Sequence, residues 1–290
     1  MSGPGAQVGV VILSQGHRPE TLAEAIDSVL HQSVSMDVVV VGNGWVPQGL
    51  PAGVRSLALP ENIGIPAGRN KGVPEVTGQY LFFLDDDEQI PSGTFLADAI
   101  ALLGSEIGLL QPRIEDRDGV PAPRRWIPRL RKGDPKRSSN VFSVLEGAVL
   151  IPRTVFERAG GWAADFFYAH EGIDLAWRVW DQGLRVWYAG DLVAYHPVSE
   201  PTRHAEYFRL NARNRIWLAR RNLPIILIPF YVASWSAVQL VRSVRSTETR
   251  QGLSAWWAGW REGWRGTVDR RRISWRTVWR MTRAGRPPIV

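Results

Sequence analysis

The chain's 290 residues, 44% hydrophobic, 22% charged and free of cysteine, suffice for one large core or two small ones and exclude a largely disordered polypeptide, disulfides and thiolate metal sites. Its net charge of +7 is unevenly held: residues 242–290 carry 12 arginines against Glu248, Glu262 and Asp269, whereas residues 1–241 carry 23 basic and 25 acidic groups. A nearly neutral body thus joins a basic tail that also holds six of the 14 tryptophans, which points to an anionic partner, either lipid headgroups or nucleic acid.

In chain order, Val8–Leu13 reads as a buried strand, too short for a signal peptide, so the catalytic part is expected on the cytoplasmic side. Pro19–Gln32 follows with apolar residues at Leu22, Ile26, Val29 and Leu30, a helical period. Strands are predicted over Asp37–Val41, residues 54–59, Tyr80–Leu84 and Ile107–Pro112, and a helix over Pro66–Val76. Strand, helix, strand alternation implies a mostly parallel α/β sheet with right-handed crossovers.

From Glu115 to Asn140 the pattern dissolves into Pro, Arg, Lys and Asp, a loop of a length that is usually functional or mobile. Regularity returns with Gly147–Pro152, a helix near Val155, the turn at Gly160-Gly161-Trp162 and a helix over Gly172–Gly183. Short strands at Arg185–Tyr188 and Leu192–Tyr195 precede a polar helix over 203–221.

Residues 223–241 are nearly uncharged and about as long as the shortest span, but Pro224, Pro229 and Gln239 favour a buried or interfacial helix pair over a crossing. After them Trp256, Trp260 and Trp264 recur every four residues beside Arg261 and Arg265, and Trp275 and Trp279 repeat the device. Tryptophan favours the headgroup boundary and arginine anionic lipid, so 223–290 is predicted to be a helical, membrane-associating extension.

The most informative junction is Asp85-Asp86-Asp87 directly after the apolar run Tyr80–Leu84. A buried strand ending in acids exposes them at the carboxyl edge of the sheet, where open α/β folds bind ligands. Side chains alternate along a strand, so Asp85 and Asp87 face one way and repel unless a cation separates them. Hard oxygen ligands of this kind suit Mg²⁺ or Mn²⁺.

Several pieces occur together in order: the first strand followed by Ser14–Pro19; Asn43-Gly44; Asn62–Gly72 with Arg69 and Asn70; Leu84–Asp87; Glu146-Gly147-Ala148 with Gly160-Gly161-Trp162; and His170-Glu171-Gly172-Ile173-Asp174 through Arg178. Over residues 8–220 the chain resembles the inverting, family 2 type of nucleotide-sugar glycosyltransferase, whose catalytic domain has the GT-A fold. The resemblance implies a GT-A domain over 1–222, with a nucleotide-sugar half at 8–112, a basic loop at 113–140 and an acceptor side at 141–222. It implies a nucleoside diphosphate sugar donor and a lipid-linked or polymeric cell-envelope glycan acceptor.

It also implies metal ligation by Asp87, by Asp85 directly or through water, and by His196. Nucleotide-sugar contacts fall to Ser14, Gln15, Arg18, Asn43, Asn62, Arg69, Asn70, Asp85 and Asp86. The family commonly has an acid where Asn43 stands, and its helix-start motif places the catalytic base where this chain has Gly172. Glu171, which borders the vacancy, is the expected base, with Asp174 as the alternative or as its orienter. The competing reading is a nucleic-acid-binding or degenerate, non-catalytic protein using the Trp/Arg tail, which leaves the acidic triplet unexplained.

Overall fold

The structure, a computed structural model, describes residues 6–129, 133–198 and 206–289. Residues 130–132 of the basic loop and the expected helix start at 203–205 lie outside them. The elements are β1 (Val8–Ser14), α1 (Pro19–Leu30), β2 (Met36–Asn43), β3 (Val54–Leu59), α2 (Ile65–Gly72), β4 (Tyr80–Asp85), α3 (Phe95–Leu103), β5 (Ile107–Glu115), β6 (Ser139–Asn140), β7 (Ala148–Pro152), α4 (Arg153–Ala159), α5 (Glu171–Asp181), β8 (Arg185–Tyr195) and α6 (Tyr207–Asn222). The tail adds α7 (Ile228–Arg245), α8 (Thr247–Gln251), α9 (Leu253–Arg265) and α10 (Trp275–Arg283).

Among the described residues eight strands form one sheet in the order β3-β2-β1-β4-β7-β5-β8-β6. The four strands β3 to β4 are parallel, and β7 runs antiparallel between β4 and β5. Alternation along the strands divides the core in two. Val8, Val10 and Ile12 of β1 with Phe82 and Leu84 of β4 pack under α1 and α3. Val11, Leu13 and Phe83 face α4, α5 and α6 on the other side. That second cluster continues through Leu223, Tyr231, Ile273, Val278 and Met281, so the tail is built into the same core as the sheet.

Several local differences from expectation have simple causes. The predicted helix to Val76 ends as α-helix at Gly72 and finishes as a 3₁₀ turn over Val73–Glu75, because Pro74 has no N–H to donate. The two short strands expected after α5 are one strand, β8, in which residues 190–192 bulge out where Pro112 of β5 cannot donate. The pair of helices expected over 223–241 is a 3₁₀ turn, Ile225–Leu227, leading into the single helix α7, since Pro229 falls in its first turn, where no intrahelical donor is required.

The tryptophan stripe is also corrected. Trp256 is only 5% exposed, because α9 lies close against α6 and turns that residue inward. Gly259 permits the approach: a side chain there would collide with the carbonyl oxygen of Arg209 on α6. Glu262 of α9 pairs with Arg209 (2.5 Å) and Arg213 (3.3 Å) across the same contact. The exposed tryptophans are Trp257, Trp264, Trp275 and Trp279.

Candidate active site

Parallel register brings the carboxyl ends of β2, β1 and β4 to one edge: Ser14 lies opposite Gly42, and Leu13 opposite Asp85. β7 starts at that edge, where the Gly147 carbonyl accepts from the Asp85 N–H (2.8 Å). Gln89 exchanges two backbone hydrogen bonds with Tyr195 at the end of β8, which sets His196 beside the acids. The result is a cleft of about 400 Å³ lined by the triplet and by residues of eight other chain segments.

One ligand atom each from Asp85, Asp87 and His196 lie within 4.8 Å of one another. His196 Nε2 is 3.6 Å from Asp87 Oδ1, and its Nδ1 is 2.6 Å from the Pro197 carbonyl oxygen. A proton on Nδ1 donated to that carbonyl leaves the Nε2 lone pair turned to Asp87, the tautomer a metal requires. The edge of Trp126 packs against the imidazole, with ring centroids 5.5 Å apart. Glu88, fully buried with no partner on either carboxylate oxygen, stands 4.0 Å from the same Nε2. Burial and then Asp85 push the Glu88 carboxyl well above its usual range. Six acids, Asp85 to Glu88 with Glu146 and Glu171, thus line a cleft in which Arg18 and Arg69 pair with the aspartates. That donor set fits a hard divalent cation.

Arg18 reaches across from the loop after β1 to pair with Asp87 and, at 3.3 Å, with Asp86. Ser14 Oγ donates to Asp86 Oδ2 (2.6 Å), and burial raises the Asp86 carboxyl above its normal value. Asp86 therefore points to β1 while Asp85 and Asp87 point together, as alternation predicts. Arg69, 1% exposed, reaches Asp85 Oδ1 (2.5 Å), and Gln15 lies at the cleft's outer wall.

Other expected contacts are redirected. Asn43 lines the cleft, but its amide donates to Asn62 Oδ1 (2.8 Å) and the Gly64 carbonyl (3.3 Å), and its Oδ1 accepts from the Ile63 N–H (2.9 Å). It braces the turn at 62–64 and keeps one acceptor lone pair for a ligand. Asn62 is its partner in that turn and is not a lining residue. Asn70 also lies outside the lining, donating to the Trp162 carbonyl and accepting from the Trp162 N–H.

Asp174, the alternative base, is not among the residues that line the cleft. It is fully buried and turned away from the cleft, paired with Arg178, with Arg221 Nε (3.0 Å) and with Asn222 Nδ2 (2.6 Å). It ties α5 to α6 and does not touch Glu171.

Glu171 does line the cleft, 3% exposed, with Oε2 lacking a partner. Burial, with the nearby charge of Glu146, raises its carboxyl to about 8. The turn that delivers it is strained, with Phe167, Ala169 and His170 at φ 64°, 70° and 72°. Asn214 of α6 pins this turn by donating to the carbonyls of Phe166, Tyr168 and Ala169 (2.7 to 3.0 Å). Glu146 was quoted within a motif but given no role, and Glu88 was readable only as the neighbour of one, because burial and convergence, not spacing, bring them into the site.

The profile of glycosyl transferase family 2 matches residues 10–160. No curated protein sequence matches the chain. Among solved structures, S. aureus TarS 1-349 is similar at 17% identity and a TM-score of 0.53, covering 71% of this chain and 64% of that one. GalNAc-T7 with UDP, GalNAc and Mn²⁺ is similar at 15% identity and 0.60, covering 80% and 50%. The mannosyltransferase PcManGT from Pyrobaculum calidifontis, in complex with GDP-Man and Mn²⁺, is similar at 16% identity and 0.53, covering 99% and 78%. At these identities the likeness is one of fold, and the chain spans between half and two thirds of the first two.

Proposed function

The chain belongs to glycosyl transferase family 2, and from that premise we propose that it moves a sugar, with inversion, from a nucleoside diphosphate sugar to a lipid-linked or polymeric cell-envelope glycan, using Mn²⁺ or Mg²⁺. The observation that carries the reading is the meeting of Asp85, Asp87 and His196 at the carboxyl edge of the sheet, inside a cleft with an excess of acids. Solved relatives by fold hold UDP in one case and GDP-Man with Mn²⁺ in another, which supports a nucleotide-sugar donor and a cation.

Asp85, Asp87 and His196 would hold the cation, whose contribution when bound is to neutralise charge on the departing diphosphate. Arg18, partly exposed at the mouth, can turn from Asp87 to a phosphate oxygen. Arg69 holds Asp85 in place through their ion pair. In the transfer, the acceptor hydroxyl oxygen bonds to the anomeric carbon as that carbon's bond to the diphosphate oxygen breaks. The leaving oxygen takes that electron pair, and the hydroxyl proton passes to a carboxylate on the opposite wall. Glu146 and Glu171 are the carboxyls there.

A thermal-melt panel of UDP, GDP, dTDP and CDP sugars, with and without Mn²⁺, tests this reading. One base is expected to raise Tm only with the cation, by the several degrees that correspond to about 2.7 kcal/mol at a hundredfold excess over Kd. No shift with any nucleotide sugar in Mn²⁺ or Mg²⁺ would remove the donor site.

The acceptor side of the proposal rests on α7. Ile225, Ile226, Phe230, Val241 and Val244 are exposed along the turn and helix, Ile225 at 70% and Val244 at 75%, and Arg242 and Arg245 stand exposed at its end. The segment Ile225–Arg245 is also long and apolar enough to cross a membrane, with only 17% of its most apolar 18 residues buried. We assign it to the cytoplasmic face of an anionic bilayer, lying in the interface, where an apolar stripe with terminal arginines is stable. The protein should pellet with phosphatidylglycerol vesicles, weakly with phosphatidylcholine, and incompletely wash off at high salt. Phe230→Asp with Val241→Asp should reduce binding at least tenfold without lowering Tm. Recovery of the native protein in the supernatant beside anionic vesicles at low salt would overturn it.

A further inference from the structure

We infer that Glu146 takes the place of the acid missing at residue 172 and is the group that accepts the acceptor hydroxyl's proton, with Glu171 as its neighbour. This rests on the glycosyl-transfer reading above. The space beside Gly172 is not empty. Glu146 Oε1 accepts a hydrogen bond from the Gly172 N–H (2.6 Å), one of the unsatisfied donors at the start of α5. A side chain on Gly172, even alanine's, would collide with that same oxygen and with the Val144 carbonyl. A carboxylate is therefore present beside residue 172, delivered from the turn that leads into β7.

Its support is rigid. Glu146 stands two residues before Ala148, which pairs with Leu84, and one before Gly147, which holds the Asp85 N–H. The carboxylate is thereby set relative to the acids that would hold the cation. Glu146 is half-buried on the cleft wall, open to an acceptor, whereas Glu171 is enclosed with an unpartnered oxygen. The electrostatics divide the pair in the same direction. Burial raises both and Arg69 acts downward on both, but the Gly172 N–H favours charge on Glu146 alone, whereas burial and the charge of Glu146 carry Glu171 to about 8. The step balances with Glu146 taking the proton, the acceptor oxygen taking the sugar and the diphosphate leaving with the electron pair of the broken bond.

Glu146→Gln tests the role, since the amide oxygen still accepts from Gly172 but no longer takes a proton. With the nucleotide sugar selected by the thermal panel and Mn²⁺, turnover to glycan, or to water as the simplest acceptor, should fall about 10²–10⁴-fold while the donor's Kd stays within threefold. Moving the carboxylate provides a second arm. Glu146→Asp, which keeps the acid but draws it back from Gly172, should retain at least tenfold more turnover than Glu146→Gln. Gly172→Asp in the otherwise native chain should lower Tm, because the added side chain meets Glu146. Turnover of Glu146→Gln within threefold of native, with Glu171→Gln inactive, would overturn the assignment and return the role to Glu171. A native protein that binds no nucleotide sugar would overturn the underlying function as well, so the binding arm separates the two failures.

Discussion

Asp87→Asn is expected to cut transfer by at least about 10³-fold while leaving the fold intact, with EDTA doing the same to the native protein. Asp87 is buried at the cleft floor and serves His196 on one oxygen and Arg18 on the other. The amide keeps its size but loses the charge that a hard cation needs. Because the cleft already carries an excess of acids, removing one carboxylate should leave the metal-free Tm unchanged or raise it. Turnover, metal content and a melt measured on the same samples decide the matter. Full activity in EDTA with no metal remaining would end the metal mechanism.

Asp174→Ala should have the opposite signature, a folding failure. Its carboxylate is fully buried between Arg178 and Arg221, themselves buried, and also accepts from Asn222. Removing it leaves two enclosed guanidinium groups without their counter-charge, a change that costs about 3–5 kcal/mol in comparable buried pairs. Against a total stability of roughly 5–15 kcal/mol, Tm should fall by about 10 °C, or the variant should be insoluble. A variant that melts like the native protein but does not turn over would instead give Asp174 a part in the chemistry.

Much of the body was legible because local patterns and tertiary needs coincide. Val8–Leu13, Tyr80–Leu84 and Ile107–Pro112 are apolar runs that form only buried strands here, and all lie in the sheet. Helix α3 was not singled out, since Phe95–Leu103 is apolar nearly all round and shows no amphipathic period. In the site, Asp85 and Asp87 were readable from strand alternation, and His196 came from the family resemblance. Asn43 and Asn70 carry the right chemistry for a ligand, yet the fold uses their amides to brace a turn and to hold the Trp162 backbone.

Residue order alone thus determined the strand-end acids, the α/β alternation and the separation of a neutral body from a basic tail, because each depends on neighbours a few positions apart. Which acids meet was decided only by packing. Asp174 and Glu171 lie within one turn of α5, but the helix turns one into the ion pairs with α6 and the other into the cleft. Glu146 and Gly172 are 26 residues apart, and only the placement of α5 against the start of β7 brings carboxylate to glycine. The tail followed the same rule: a four-residue spacing marks one helix face, but contact with α6 sets which way that face turns, and it enclosed Trp256.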